Sequence, residues 1–132
     1  MSDRSWSRFT LRAEDVNDDV MNALAGYNAD ATEIEGLVVF EDYEAVGGGF
    51  DDEAALMKAT QAAFHHAWDG VVGAYDGGIT YRKGERLVEF YKDFDGRPLV
   101  SVEDVRAGVE GVLDRFAFAD EVWAFIFGRK KK

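Results

Sequence analysis

Between residues 52 and 72 the apolar residues recur with the spacing of an α-helix. At 100° per residue they fall in one broad sector, while Lys58 and Gln61 fall on the opposite side. Gly73 and the glycines of "DGG" at 76–78 end the segment. The pattern predicts one amphipathic helix, whose apolar side must be covered by another layer of structure. That side comprises Leu56, Met57, Thr60, Ala63, Phe64, Ala67, Trp68 and Val71.

Both histidines of the chain lie in this segment. On a helix, His65 and Asp69 are one turn apart on the solvent side, where two ligands could converge on a cation. No recognisable spacing supplies a third ligand, so the pattern favours an exposed His–Asp pair and no metal. Replacing either residue with alanine is then expected to change stability by less than about 0.5 kcal/mol. His66 is expected to be partly buried at the flank of the helix.

Three glycines, Gly47–Gly49, stand before this helix and raise the question of a phosphate site. Such a site needs free N–H groups at a helix N-terminus and usually a lysine. Here carboxylates follow instead, and we expect the first of them, Asp51, to cap the helix. The spacing matches neither the P-loop nor the dinucleotide-binding fingerprint. The glycines therefore predict a turn with unusual backbone dihedral angles, and no cofactor is expected.

The rest of the chain predicts strands interrupted by two further helices. Strands are expected over residues 5–12, 34–40, 44–50, 79–83, 86–94 and 121–127, with a short one after Pro98, and helices over 14–26 and 102–116. A polar turn is expected at 41–44, and Gly84-Glu85 should form a hairpin turn. Ser101 should cap the last helix. Its expected buried face is Val102, Val105, Val109, Val112, Leu113 and Phe116.

This order of elements favours a single α+β domain over residues 1–128, with a mostly antiparallel sheet flanked by about three helices. Residues 129–132 form a basic C-terminal tail. The inward face of the strand at 86–94 stays open, because Leu87 precedes Val88 and Glu89 precedes Phe90 without a clean alternation. The carboxylates are abundant, but no pair is marked as convergent, so no catalytic residue is proposed.

Composition excludes several classes of function. The chain has no cysteine, which excludes disulfides, thiolate metal sites and a cysteine nucleophile and fits a reducing compartment. It also has no long apolar run and no signal-peptide pattern at its start, so we expect a cytoplasmic protein without a membrane partner. The formal net charge is −11, and four of the fifteen basic residues are the last four. A body this acidic repels nucleic acid, which we exclude as a partner.

Two interpretations of the acidity remain. One is a solvated surface suited to high salt or to solubility. The other is an acidic face that docks on a basic partner, as a nucleic-acid mimic or an immunity protein does.

The segment "VWAFIFG" at 122–128 suggests a protein interface. As a strand it would place Trp123, Phe125 and Phe127 on one face and aliphatic residues on the other. Either the strand is central and covered on both sides, or another subunit covers the aromatic face. We predict a homodimer with these aromatic residues at or near its interface.

Residues 14–116 resemble the Roadblock/LC7 family, which has a profilin-like fold. The resemblance is one of pattern, in "EIEGLVVFEDYEAVGGGFDDEAALMKATQAAF", "GGITYRKGERLVEF" and "RPLVSVEDV". The predicted strands at 5–12 and 121–127 are additions to the family pattern. The resemblance implies a non-catalytic, dimeric scaffold that modulates a protein partner.

Taken together, the sequence favours a non-enzymatic interaction or scaffold module that forms a homodimer. One alternative is an acidic inhibitor of the immunity or nucleic-acid-mimic type. A small enzyme or ligand-binding domain without a recognisable motif is the other.

Overall fold

The computed structural model describes residues 4–25, 32–93 and 95–128. Within these ranges the strands are β1 (Arg4–Arg12), β2 (Thr32–Ile34), β3 (Leu37–Val46), β4 (Phe64–Trp68), β5 (Gly78–Lys83), β6 (Arg86–Lys92) and β7 (Pro98–Leu99). The α-helices are α1 (Asp18–Ala23), α2 (Phe50–Ala59), α3 (Val102–Ala107) and α4 (Val109–Phe127). The predicted basic tail, 129–132, lies outside the described residues.

The strands form one antiparallel sheet in the order β2-β3-β1-β4-β5-β6-β7. Because side chains alternate along a strand, each residue directly opposite another across the ladder points to the same side of the sheet. One side, the α2 face, carries Phe9 and Phe64, which pack with Leu56 of α2. The other side, the α4 face, carries Ala67 and Tyr81, which pack against α4. The protein is thus a single α+β domain with helices on both faces of an antiparallel sheet.

Two hydrophobic clusters hold these layers together. On the α2 face, Val20 and Leu24 of α1 and Leu56 of α2 are buried against β1, β3 and β4. On the α4 face, Phe118, Val122 and Ile126 are buried against β4, β5 and β6. The spacing of these three residues, four apart, places them on one side of α4. The helices therefore cover the sheet by ordinary amphipathic packing.

The predicted helix over 52–72 is wrong in its second half. The helix ends at Ala59, Thr60 adopts an extended backbone, and residues 64–68 form the central strand β4. Every residue of β4 is buried, because both of its faces are covered. The periodicity misled the prediction, because the polar residues that suggest a solvent side of a helix include His65, which is buried in β4.

The predicted strand over 121–127 is also wrong. These residues continue α4, which starts after Gly108 and runs to Phe127, and the described residues contain four α-helices. Gly108 has a φ of 138° and separates α3 from α4. An ion pair of 3.1 Å joins Asp104 to Arg115. These residues would stand about 16 Å apart along a straight helix, so the chain must bend at Gly108.

The buried face predicted for 102–116 is not buried in the single chain. Val102, Val105, Val109 and Leu113 are each at least half exposed. Val112 and Phe116 are partly buried. The apolar residues have the helical spacing expected of a buried face, but none of the described residues forms a layer that covers them around the α3–α4 junction.

Several local predictions are confirmed. The strand at 5–12 and the hairpin turn at Gly84-Glu85 are present. The Ser101 hydroxyl oxygen accepts a hydrogen bond of 3.0 Å from the Asp104 N–H, as expected of a cap. The helix predicted over 14–26 is shorter in the described part of the chain, and Asn17 caps it.

Two turn predictions need correction. Residues 41–44 do not turn, because β3 runs unbroken from Leu37 to Val46. The three glycines do form a turn with positive φ angles. However, the residue that caps α2 is Gly49 and not Asp51, which lies inside the first turn of the helix.

Candidate functional site

A groove lies on the α2 face, over the strands beyond the cover of α1 and α2. It consists of two adjoining hollows of about 800 and 520 Å³ that share Tyr75, Asp76, Gly77, Tyr91 and Leu99. The loop at 70–77 borders the larger hollow. Phe50, the first residue of α2, and Arg115 of α4 border the smaller one.

One row of side chains across four strands gives the groove its apolar floor. Trp68 on β4 lies opposite Gly78 on β5, and Gly78 lies opposite Tyr91 on β6. Tyr91 in turn lies opposite Leu99 on β7. Phe50 adds an edge-to-face contact with the indole of Trp68, with ring centroids 4.9 Å apart. We call these three side chains, Trp68, Tyr91 and the aliphatic Leu99, the aromatic row after its two ring-bearing members.

Gly78 is essential to this floor, because the Trp68 ring lies over it. A Cβ atom at position 78 would meet the Trp68 Cζ2 atom at 2.5 Å. A Cβ atom at Gly48 of the glycine turn would lie 3.1 Å from Trp68 Cδ1 of the same indole. The middle glycine of the turn that raised the question of a phosphate site therefore serves close packing against a tryptophan.

A second row, two residues further along the strands, is polar. His66 on β4 lies opposite Thr80 on β5, and Thr80 lies opposite Glu89 on β6. Thr80 is fully buried, whereas Glu89 lines the smaller hollow. Much of the Glu89 side chain is open to water, but the groove desolvates its carboxyl group, which raises its pKa, and the charge of Glu53 raises it further. The groove thus holds a carboxylate in an unfavourable electrostatic environment.

The basic groups at the groove are already paired. Arg115 pairs with Asp104, whose pKa is lowered by hydrogen bonds from Ser101 and Arg115. The Lys92 ammonium group lies 2.6 Å from an Asp69 carboxylate oxygen. Glu89 and Asp76 have no such basic partner among the ion pairs of the described residues. The groove is therefore left with an excess of negative charge.

Next to the polar row, two buried side chains and the partly buried Glu53 form a chain of hydrogen bonds that resembles a catalytic triad. His66 Nδ1 is hydrogen-bonded to the Glu53 carboxylate, and His66 Nε2 lies 2.8 Å from the Ser7 hydroxyl oxygen. With the proton on Nδ1, His66 donates to Glu53 and accepts from Ser7. Both Ser7 and His66 are fully buried, so no substrate can reach the hydroxyl group. The arrangement links α2 to β4 and β1 and has a structural role.

The His–Asp pair predicted on a solvent-facing helix does not exist. His65 is buried in β4 on the α4 face, where its ring contacts Tyr81 and Trp123. Asp69 follows β4 and pairs with Lys92. The expectation that alanine is harmless at these positions loses its physical basis. Within the described residues, no group of three or more histidine, aspartate or glutamate side chains is arranged to hold a metal ion.

The aromatic residues predicted at an interface lie on α4. Trp123 and Phe127 stack on each other with centroids 4.1 Å apart and are partly buried. Phe125 is 38% exposed, and the cationic groups of Arg12 and Lys83 each lie 5.0 Å from its ring centre. The strand that suggested their common face is absent, and their role in an interface stays a prediction.

The groove residues were not identified from the sequence. The available signal was that Leu87, Glu89 and Tyr91, each two residues apart, share one face of β6. This spacing did not show whether that face or the opposite one was covered by a helix. The cross-strand neighbours Trp68 and Leu99 come from distant parts of the chain. Only the register of the sheet brings them together.

Comparisons with protein-family models, with curated proteins and with solved structures find no match to this chain. None of the described helices combines the length and apolarity needed to cross a membrane. The function must therefore be inferred from the surface of the molecule itself.

Glu89→Gln is expected to raise the melting temperature at neutral pH. Because the folded-state pKa of Glu89 is raised, the folded chain favours the protonated carboxyl, and stability is lost as pH rises through that pKa. Glutamine stays neutral, so the difference between variant and wild type should be largest near pH 7 and vanish below the unfolded pKa of about 4.3. Thermal unfolding across this range measures it, and equal melting temperatures at pH 7 would contradict the argument.

Proposed function

We propose that this chain is a non-enzymatic protein–protein interaction module that forms a homodimer. The observation that carries the proposal is the junction face, which we define as Val102, Val105, Val109 and Leu113. These side chains are 50–61% exposed although they have the spacing of a buried helical face. Clusters of large exposed aliphatic residues mark interaction surfaces in soluble proteins.

The junction face is built from two pairs of neighbours. Val102 and Val105 are three apart on α3, and Val109 and Leu113 are four apart on α4. The bend at Gly108 holds the two helices against each other through the Asp104–Arg115 ion pair. The junction face therefore lies on two helices that are packed together, and not on a loop.

The neighbouring charges favour a second copy of the chain as the partner. Exposed Glu103, Arg106 and Glu110 border the junction face, so both signs of charge are present. In a two-fold contact each patch meets its own copy, and an acidic side chain of one chain can face Arg106 of the other. The resemblance to the Roadblock/LC7 family, which implies a dimeric scaffold, agrees with this proposal.

We expect the dimer to tighten as ionic strength rises, and Leu113→Asp to weaken it at least about tenfold, which is about 1.4 kcal/mol. The net charge of −11 opposes association at low salt, and salt screens this repulsion. Sedimentation velocity across a salt series measures both effects. Met21→Asp is a matched control, because Met21 is an exposed apolar residue on a helix outside the junction face.

Two outcomes would contradict the proposal. One is a monomer at every salt concentration, even at high micromolar protein. The other is a dimer that Leu113→Asp leaves intact. Phe125→Asp belongs in the same series, since Phe125 is the most exposed of the three aromatic residues predicted at the interface.

A further inference from the structure

The two rows on the groove floor present different chemistry at a fixed spacing. The aromatic row of Trp68, Tyr91 and Leu99 is apolar, and Glu89 lies two residues from Tyr91 along the same strand. Two residues of a strand span about 7 Å. A ligand that matches both rows therefore has an apolar body and a polar group within a few bonds of it.

The sign of charge that this polar group should have follows from the ion pairs around the groove. Arg115 and Lys92 pair with Asp104 and Asp69, and the only contact of Arg115 with Glu89 among the described hydrogen bonds is a 3.5 Å one to the Glu89 backbone carbonyl, so neither cation forms an ion pair with the Glu89 carboxylate. The negative charge of Glu53 also repels the Glu89 carboxylate. A bound cation would relieve this repulsion, and an anion would add to it.

The groove walls also favour a cation over a neutral molecule. Phe50 and Tyr91 are 39% and 56% exposed, so their rings are open to a ligand. The face of an aromatic ring attracts a cation, and this attraction grows when the site is partly desolvated. The hollows, at about 800 and 520 Å³, have room for a molecule of one or two rings.

We infer that the groove binds a small organic cation, with its apolar body on the aromatic row and its ammonium group beside Glu89. This site is distinct from the proposed dimer contact, because the junction-face side chains do not line either hollow. The inference stands or fails independently of self-association.

Three probes with the same ring and different charges test the inference. They are phenethylamine, phenethyl alcohol and phenylacetate, titrated into the full chain while backbone amide NMR shifts are followed. We expect saturable shifts at residues 70–78 and 89–92, with the amine binding about tenfold more tightly than the alcohol. Phenylacetate should bind most weakly of the three.

Variants then assign the preference to named side chains. Glu89→Gln should reduce the affinity for the amine to that for the alcohol, and Tyr91→Ala should weaken both. Glu33→Gln is the matched control, since Glu33 is an exposed glutamate on β2 at the opposite end of the sheet. It should leave all three affinities unchanged.

The inference is overturned by any of four results. The first two are the absence of saturable binding by the amine and equal affinity of the wild type for amine and alcohol. The others are an amine preference that survives Glu89→Gln and shifts confined to residues outside the groove. The melting temperature of Glu89→Gln is measured separately, so a loss of amine binding by this variant can be distinguished from a loss of folding.

Discussion

Replacing Phe64 with alanine is expected to lower the free energy of unfolding by about 3–5 kcal/mol. Phe64 is fully buried at the start of the central strand β4, and it packs with Leu56 of α2 on the α2 face. Its ring meets Phe9 of β1 edge to face, with centroids 5.8 Å apart. Truncation opens a cavity between the helix and the middle of the sheet, where neighbouring strands cannot close in.

Val109→Ala is the control for this variant. The spacing of the sequence predicts both residues to be buried, but Val109 is 55% exposed in the single chain. In dilute, monomeric protein its replacement should change stability by less than about 0.5 kcal/mol. Chemical denaturation of both variants measures the contrast. A cost for Val109→Ala as large as that for Phe64→Ala would show that the position of α4 is wrong.

His66→Ala is expected to cost about 3 kcal/mol, from a lost hydrogen-bond partner and a new cavity. The imidazole stacks on Phe9 with centroids 3.9 Å apart and lies between Glu53 and Ser7. Alanine removes the ring contact and leaves the Glu53 carboxylate without the N–H that it accepts from. Since Glu53 lies on α2 and His66 on β4, the helix should also detach from the sheet more readily.

Glu53→Gln separates the hydrogen bond from the packing. Glutamine keeps the shape of glutamate and an oxygen that can accept from His66 Nδ1, so we expect a loss of about 1 kcal/mol. Denaturation of the two variants, with hydrogen exchange of the α2 amides, measures both effects. If His66→Ala unfolds like the wild type, the buried hydrogen-bonded chain contributes nothing to stability.

Local signals in the sequence determined the elements whose boundaries depend on a few adjacent residues. The hairpin of β5 and β6 follows from the turn at Gly84-Glu85, and the start of α3 follows from the Ser101 cap. The glycine turn at 47–49 follows from the freedom of glycine to adopt positive φ. These signals also sufficed for the α+β class, because they count and order most of the elements.

Tertiary structure decided two segments whose residue pattern fits both a helix and a strand. Residues 64–68 are buried on both faces as a strand, and residues 118–126 are buried on one face as a helix. In the first segment the polar residues do not mark an uncovered side, because His65 and His66 are both buried. The choice depends on which neighbours are present, and those neighbours come from other parts of the chain.

The candidate groove shows the same division. The sequence alone places Glu89 and Tyr91 on one side of a strand, since residues two apart share a face. It does not show that Trp68 and Leu99 complete that row, or that α2 starts beside Trp68 and leaves Tyr91 and Leu99 exposed. Register and helix position are set by packing across the whole sheet, so only the tertiary structure could place an aromatic floor beside a carboxylate.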